Sequence, residues 1–417
     1  MPALITPPLA LYVHFPWCVR KCPYCDFNSY TLNGELPLEP YVQRLGRDLA
    51  AQAPQVAGRA VTSVFFGGGT PSLFSPDAIG RVLDSARRHL TLADDLEVTL
   101  EANPGAIERG AFREYRAAGV TRVSLGAQSF DQERLTALGR IHSPAETRLA
   151  AAELHAAGLA NFNLDLMYAL PGQELPAAVR DVEEALSLAP AHLSHYQLTL
   201  EPGTVFAAQP PLLPDDDSAA AMLDACAALL EQAGFAQYEV SAYARAGRQC
   251  RHNLNYWTFG DYLGIGAGAH GKLTFPRAGQ TVRTVQPREP RRYLAASDAE
   301  LTRRVIPARE LPFEFMLNAL RLTGGFDAAT FAERTGLAWQ EIAAPMDTAI
   351  TRGLILRTAT GYRPSELGLR FLNDVLLGFM PESLKLPDAS ALSIGVSGAR
   401  AGASGPLFTA PGSVVAE

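Results

Sequence analysis

The stretch "ALYVHFPWCVRKCPYCDFNSY", Ala10 to Tyr30, decides how the rest of the chain is read. Its first part, "ALYVHF", is short, apolar and rich in aromatic and β-branched residues. It meets Pro16, so it reads as a buried strand that stops there. Directly after it come Cys18, Cys22 and Cys25, spaced C-x3-C-x2-C. The chain has five cysteines, an odd and sparse set unsuited to a disulfide framework, so three thiols at one strand end point to metal or redox chemistry.

The strand is the first of six. "VTSVFFGGG", "LEVTLEANP", "VTRVSLGAQS", "NFNLDLMYALPG" and "HLSHYQLTLEPG" follow, separated by amphipathic stretches such as "YVQRLGRDLAAQA", "DAIGRVLDSARRHL", "ERGAFREYRAAG", "AETRLAAAELHAAG" and "LPAAVRDVEEALSL". Alternation of this kind predicts an α/β chain of parallel strands with right-handed crossovers, an open or closed barrel. Each strand ends in polar or Gly-rich residues, and the C-terminal rim is where such barrels carry their chemistry.

The division expected is a barrel over residues 1–209, an elaboration over 210–309, a compact helical unit with a small hairpin resembling a winged helix over 310–381, and a disordered Ala/Ser/Gly tail over 382–417. A net charge of -7 and a pI near 5.7 supply no basic face, so nucleic-acid binding is disfavoured. No apolar run of about 18 residues appears and the N-terminus lacks a secretory pattern, so a cytoplasmic location is expected. Cys226, in the apolar helical run "AAAMLDACAALLEQAG", reads as a buried small hydrophobe.

Structural zinc wants four ligands, often in paired knuckles, and no second knuckle follows Cys25. Three thiolates can instead hold three corners of a [4Fe-4S] cubane and leave one iron open to a small molecule. The motif resembles that of the radical S-adenosylmethionine (radical SAM) superfamily. "LYVHFPWCVRKCPYC", "GGGTPS", "EANP", "RVSLGAQSF", "LGRIHS", "DLMYALPGQ" and "HYQLTLEPGT" together resemble the anaerobic coproporphyrinogen III dehydrogenases and their heme chaperone relatives, to about Pro381. The resemblance implies a partial (β/α)6 radical SAM barrel with Cys18, Cys22 and Cys25 on the cluster. It also implies S-adenosylmethionine contacts from Tyr12, Gly68, Gly69, Thr70, Glu101, Gln128, Arg140 and Asp165. Gln128 and Asp165 would suit its ribose, and Arg140 its carboxylate.

Two departures separate the branches. The dehydrogenases are expected to carry a further cysteine two residues after the third, where this chain has Phe27, and a longer segment ahead of the motif tyrosine, here Tyr12. "RHNLNYW", Arg251 to Trp257, matches the H-N-x-x-Y-W motif of the heme chaperone branch, which makes His252 the candidate heme ligand and Tyr256 and Trp257 candidate macrocycle contacts. Cys250 is a competing thiolate candidate. Arg283, Arg288, Arg291 and Arg292 could meet heme propionates, although a solvated loop is the better expectation. The resemblance implies heme as cargo and apo-cytochromes of the respiratory chain as recipients, at the inner membrane surface, and leaves a homodimer open. The alternatives are a coproporphyrinogen III dehydrogenase using a 5′-deoxyadenosyl radical, or a radical enzyme with a non-tetrapyrrole substrate.

Overall fold

The structure is a computed structural model that describes residues 2–105, 112–297 and 300–381. The expected disordered tail, 382–417, and the first residues of "ERGAFREYRAAG" lie outside the described residues.

The six expected strands are present: β1 (Leu9–Phe15), β2 (Ala60–Gly68), β3 (Thr91–Ala102), β4 (Arg122–Gln128), β5 (Phe162–Tyr168) and β6 (His192–Gln197). Each pairs in parallel with the next. Both faces of β1 are used. Leu9, Leu11, Val13 and Phe15 are buried in the main core, while the alternate residues Tyr12 and His14 belong to the inner face, where side chains are polar. The crossover helices close over the apolar face by simple spacing. In Leu38–Gln52 the buried Tyr41, Leu45 and Leu49 recur every four residues. Helix Pro144–Ala156 starts with Ser143 and Glu146 in a reciprocal capping box, which fixes the path of the residues just before it.

The rest of the sheet is β7 (Ala236–Glu239), β8 (Ala242–Ala244), β9 (Asp261–Ile265), β10 (His270–Phe275), β11 (Gln280–Val285) and β12 (Thr302–Val305). The full order is β12-β11-β10-β9-β1-β2-β3-β4-β5-β6-β8-β7. The stretch "GDYLGIGAGAHG", expected to elaborate the barrel, supplies a seventh parallel strand, with β9 alongside β1 in the register Leu9↔Asp261 to Val13↔Ile265. Its glycines are there for closeness. A Cβ on Gly264 would lie 1.9 Å from the His270 carbonyl oxygen.

A second core, including Phe313, Phe315, Phe331, Ile342 and Leu376, belongs to the C-terminal unit. Helices Leu311–Ala319, Ala328–Thr335 and Gln340–Thr351 precede the hairpin Ile355–Arg357/Gly361–Pro364. A third strand, Phe326–Asp327, which sequence periodicity did not reveal, completes the small sheet. Helix Arg251–Trp257 joins the two units. Phe259, just beyond it, packs edge-on against Phe315, and the Arg321 guanidinium lies 4.4 Å from the centre of the Trp257 ring.

Candidate cluster and cofactor site

β1 runs directly into the cysteine loop, which closes on itself where Trp17–Cys18 pairs in parallel with Tyr30–Thr31. Lys21 clamps the loop from inside, its Nζ donating to the carbonyls of Phe27 (2.9 Å) and Ser29 (3.0 Å). Asn28 ties it to the barrel, donating to the carbonyls of Ala267 and Arg288 at 3.0 Å each. The three thiols are all partly buried at this end of the barrel. Arg140 Nη1 donates to Cys22 Sγ at 3.8 Å, and the Cys25 sulfur is 3.8 Å from the Ser29 hydroxyl.

Burial pushes the Cys25 thiol up to about 11, against the Phe27 backbone and Ser29 hydrogen bonds that favour its thiolate. It raises Cys18 likewise, against a Thr70 hydrogen bond. Loss of these protons therefore favours a positive partner, which the iron of a bound cluster would supply. Among the described residues no group of three or more His, Cys, Asp or Glu is gathered tightly enough to hold a single metal ion.

The Gly-rich end of β2 is stitched to the same loop. Gly69 N–H donates to the Phe15 carbonyl (2.7 Å), Thr70 N–H to the Trp17 carbonyl (2.8 Å), and Gly68 N–H to Glu101 Oε2 (3.0 Å). Asn103 donates to Thr70 Oγ1 at 3.0 Å and accepts from Arg140 Nη2 at 2.5 Å, and the same nitrogen also reaches the Gly126 carbonyl at 2.8 Å. A cavity of about 230 Å³ opens here, lined by Cys22, Thr70, Asn103, Arg140 and His142 among others. The Arg140 guanidinium belongs to the lining of this cavity, and so the residues fit a cofactor carboxylate. Gly139, with φ at +69°, permits the approach: a Cβ there would lie 2.7 Å from Cδ of Pro23 in the cysteine loop.

The remaining candidates line the barrel interior. Asp165 accepts from Asn163 Nδ2 (2.7 Å) and from the Ser124 hydroxyl (3.3 Å). Gln128 sits at φ +66°, in the left-handed region that costs a non-glycine residue of order 1 kcal/mol, and its Oε1 accepts from the Tyr196 hydroxyl at 2.8 Å. Tyr12 hydrogen-bonds through its hydroxyl to His14 Nδ1 at 2.9 Å, and His14 Nε2–H donates to the Asn28 carbonyl at 2.8 Å, which links the tyrosine back to the cysteine loop. Sequence reasoning missed Ser124, Asn163, Tyr196 and His142. Ser124 and Asn163 recur at strand period beside Gln128 and Asp165, while Tyr196 and His142 stand in the quoted "HYQLTLEPGT" and "LGRIHS".

Burial, followed by the nearby Asp165 carboxylate, raises the Glu101 carboxyl from 4.5 to about 8. The unfolded chain then holds fewer protons than the folded one between those values, so this group lowers stability as pH rises through that window. In the absence of cofactor, Glu101→Gln should raise the melting temperature at pH 8 and leave it nearly unchanged at pH 5. Equal shifts at both pH values would show that Glu101 does not titrate there.

His252 lies in helix Arg251–Trp257 and is 1 % exposed. Its Nδ1 meets the Ser63 hydroxyl and its Nε2 the Tyr256 hydroxyl, each at 3.0 Å, and its ring stacks on Phe65 with centroids 4.9 Å apart. Tyr256 thus faces the imidazole, and Trp257 lies buried beneath Arg321. Cys250 is fully buried, 3.8 Å from Glu97 Oε1, and burial pushes its thiol up to about 12, which disfavours a free thiolate. The expectation of a solvated arginine loop is corrected at Arg283. It lies in β11, partly buried, donating to the Tyr262 hydroxyl at 2.6 Å and paired with Glu314. Arg288, Arg291 and Arg292 are exposed.

Residues 12–187 match the radical SAM superfamily, and residues 306–371 match the HemN C-terminal domain. The chain is 49% identical over 376 residues to the heme chaperone HemW of Escherichia coli K12, covering 90% of this chain and 99% of that protein. It is 45% identical to the HemW of Haemophilus influenzae, covering 92% and 100%. Among solved structures it resembles the coproporphyrinogen III oxidase HemN of Escherichia coli, with a TM-score of 0.75 and 22% identity over 90% of each chain, a likeness of fold. With the cysteine loop, the Gly-rich strand end and both domain matches in one chain, the protein belongs to the HemW family of the radical SAM superfamily.

Proposed function

We propose that the protein is a heme chaperone that binds heme and passes it to apo-cytochromes, built on a barrel that holds a [4Fe-4S] cluster and S-adenosylmethionine. The observation that carries the reading is the 49% identity to a heme chaperone along almost its whole length. Cys18, Cys22 and Cys25 would hold the cluster, which when bound supplies an open iron beside the cavity. Arg140 orients the carboxylate of the cofactor, Asn103 and Gly126 hold that arginine in place, and Glu101, Gln128 and Asp165 line the interior for its polar groups.

In this reading His252 reaches heme iron only after Tyr256 releases Nε2 and helix Arg251–Trp257 moves off the barrel, because the ring is otherwise buried with both nitrogens engaged. No helix among the described residues is long and apolar enough to cross a membrane. Delivery would take place in the cytoplasm, at the membrane surface where the recipient hemoproteins sit, by a monomer or a homodimer. The second reading, a coproporphyrinogen III dehydrogenase, draws on the fold likeness to HemN.

Heme titration followed by absorbance, run beside a coproporphyrinogen III assay, separates the two. Heme binding without substrate turnover is expected, and carbon dioxide release from coproporphyrinogen III would overturn the chaperone reading. For the cofactor, Arg140→Ala should weaken S-adenosylmethionine binding by about 1.5 to 3 kcal/mol in calorimetry, the range for a charge-assisted hydrogen bond. Unchanged affinity would remove Arg140 from the site.

A further inference from the structure

The glycine-broken stretch that supplies β9 runs on into β10, whose first residue, His270, has no part in the roles given above. Of the eight histidines it alone combines partial exposure with a ring that makes no hydrogen bond among the described residues. His89 and His155 are exposed but each ring bonds a carbonyl, and the other five are buried. Neither His270 ring nitrogen is among the unpaired side-chain atoms sealed from solvent. A ligand can therefore reach this imidazole with no helix moving, which is not true of His252.

Strand pairing places the ring. Tyr262 of β9 pairs with Lys272 of β10, and Lys272 with Arg283 of β11. Side chains alternate along a strand, so His270 shares the inner face of the barrel with Tyr262 and Arg283. Burial comes first in holding its imidazole down at about 4, with the nearby Arg283, His14 and Arg288 as further causes, so the ring is neutral at working pH and keeps a lone pair. Arg288 stands at this end of the barrel because Gln286 N–H donates to the Ala269 carbonyl (2.9 Å) and Asn28 of the cysteine loop donates to the Arg288 carbonyl (3.0 Å), while its side chain is exposed.

Partly buried aromatic rings continue the same face toward the helix that carries His252. Tyr12 stacks on Phe65 with centroids 6.3 Å apart and lies 6.3 Å from the His252 ring, and Tyr256 meets Tyr262 edge-on at 4.4 Å. A free neutral imidazole, flat rings and an exposed guanidinium on one barrel face are complementary to an iron porphyrin that bears carboxylates. They offer it an axial ligand, a packing surface and an anion partner.

We propose that His270 is the entry ligand for heme, coordinating the iron at the cysteine-loop end of the barrel before helix Arg251–Trp257 releases His252. The proposal deepens the heme chaperone reading and rests on it, and the experiment keeps the two apart.

Ferric heme and iron-free protoporphyrin IX are each mixed by stopped flow with the anaerobically reconstituted full-length protein, for wild type, His270→Ala, His270→Met and His252→Ala, with iron content and melting temperature checked in each. The wild type should show an early Soret change followed by a slower one. His270→Ala should lose the early phase with ferric heme and take up protoporphyrin IX as the wild type does. His252→Ala should keep the early phase and lose the slower one. His270→Met, which offers a thioether to iron, should restore an early phase with an altered spectrum, a signature that a packing role would not move. A single slow phase in the wild type, an early phase unchanged in His270→Ala, or equal losses with ferric heme and protoporphyrin IX would overturn the role of His270. A wild type that binds no ferric heme would overturn the chaperone reading itself.

Discussion

Replacing Cys18, Cys22 or Cys25 with serine should take anaerobically reconstituted protein from about four irons per chain to near zero. The expectation follows from the loop itself. Three thiolates would hold three corners of one cubane, and the other two cysteines belong to other elements, Cys226 fully buried in helix Asp216–Gln232 and Cys250 fully buried beside Glu97. A serine hydroxyl is a far poorer iron ligand than a thiolate, and with two thiolates left the cluster has lost a corner. Cys226→Ser is the internal control and should leave iron content unchanged, because its thiol packs in the main core and burial pushes it up to about 12. Stoichiometric tetrahedral zinc in anaerobically prepared protein, with no iron-sulfur absorption, would overturn the assignment.

The second large effect is expected in heme binding. His252→Ala should abolish or sharply weaken the Soret shift on heme addition and leave iron-sulfur content intact. Tyr256→Phe should do the opposite. Removing the hydroxyl that pairs with Nε2 leaves that nitrogen without its partner, and a neutral hydrogen bond of about 1 kcal/mol corresponds to roughly fivefold tighter heme binding. Burial, with the Arg122 cation as a second cause, pushes the His252 imidazole down to about 3, so heme affinity should show no His252 titration between about pH 5 and 8.

The alanine substitution also empties a buried site against Phe65 and strips Ser63 of a partner, which lowers stability by about 2–4 kcal/mol. The melting temperature is therefore read beside the spectrum, and Tyr256→Phe, which opens no comparable cavity, separates ligation from damage. Heme binding by His252→Ala equal to the wild type would make His252 a core residue that pins the helix to the barrel.

The six barrel strands were legible because each is a short apolar run bounded by glycine, proline or polar residues, a signal contained in its own few positions. The cysteine loop was legible for a similar reason: its C-x3-C-x2-C spacing lies within one contiguous stretch. The C-terminal helices and hairpin followed from local periodicity too, but Phe326–Asp327 did not, since two residues carry no period.

What the sequence by itself determined is the six barrel strands, their order and the polar or Gly-rich residues at their C-terminal ends. Only the tertiary structure decided that β9 lies beside β1, because the paired residues, Leu9 with Asp261 onward, stand far apart in the chain. It alone put Arg283 against Tyr262 and Glu314 instead of solvent, and His252 between Tyr256 and a serine 189 positions earlier. It alone put the Arg140 guanidinium beside Cys22, Asn103 and the Gly126 carbonyl. Periodicity records which face of an element is buried, while the partner that satisfies a buried polar atom comes from a distant segment that only the packed chain brings within hydrogen-bonding reach.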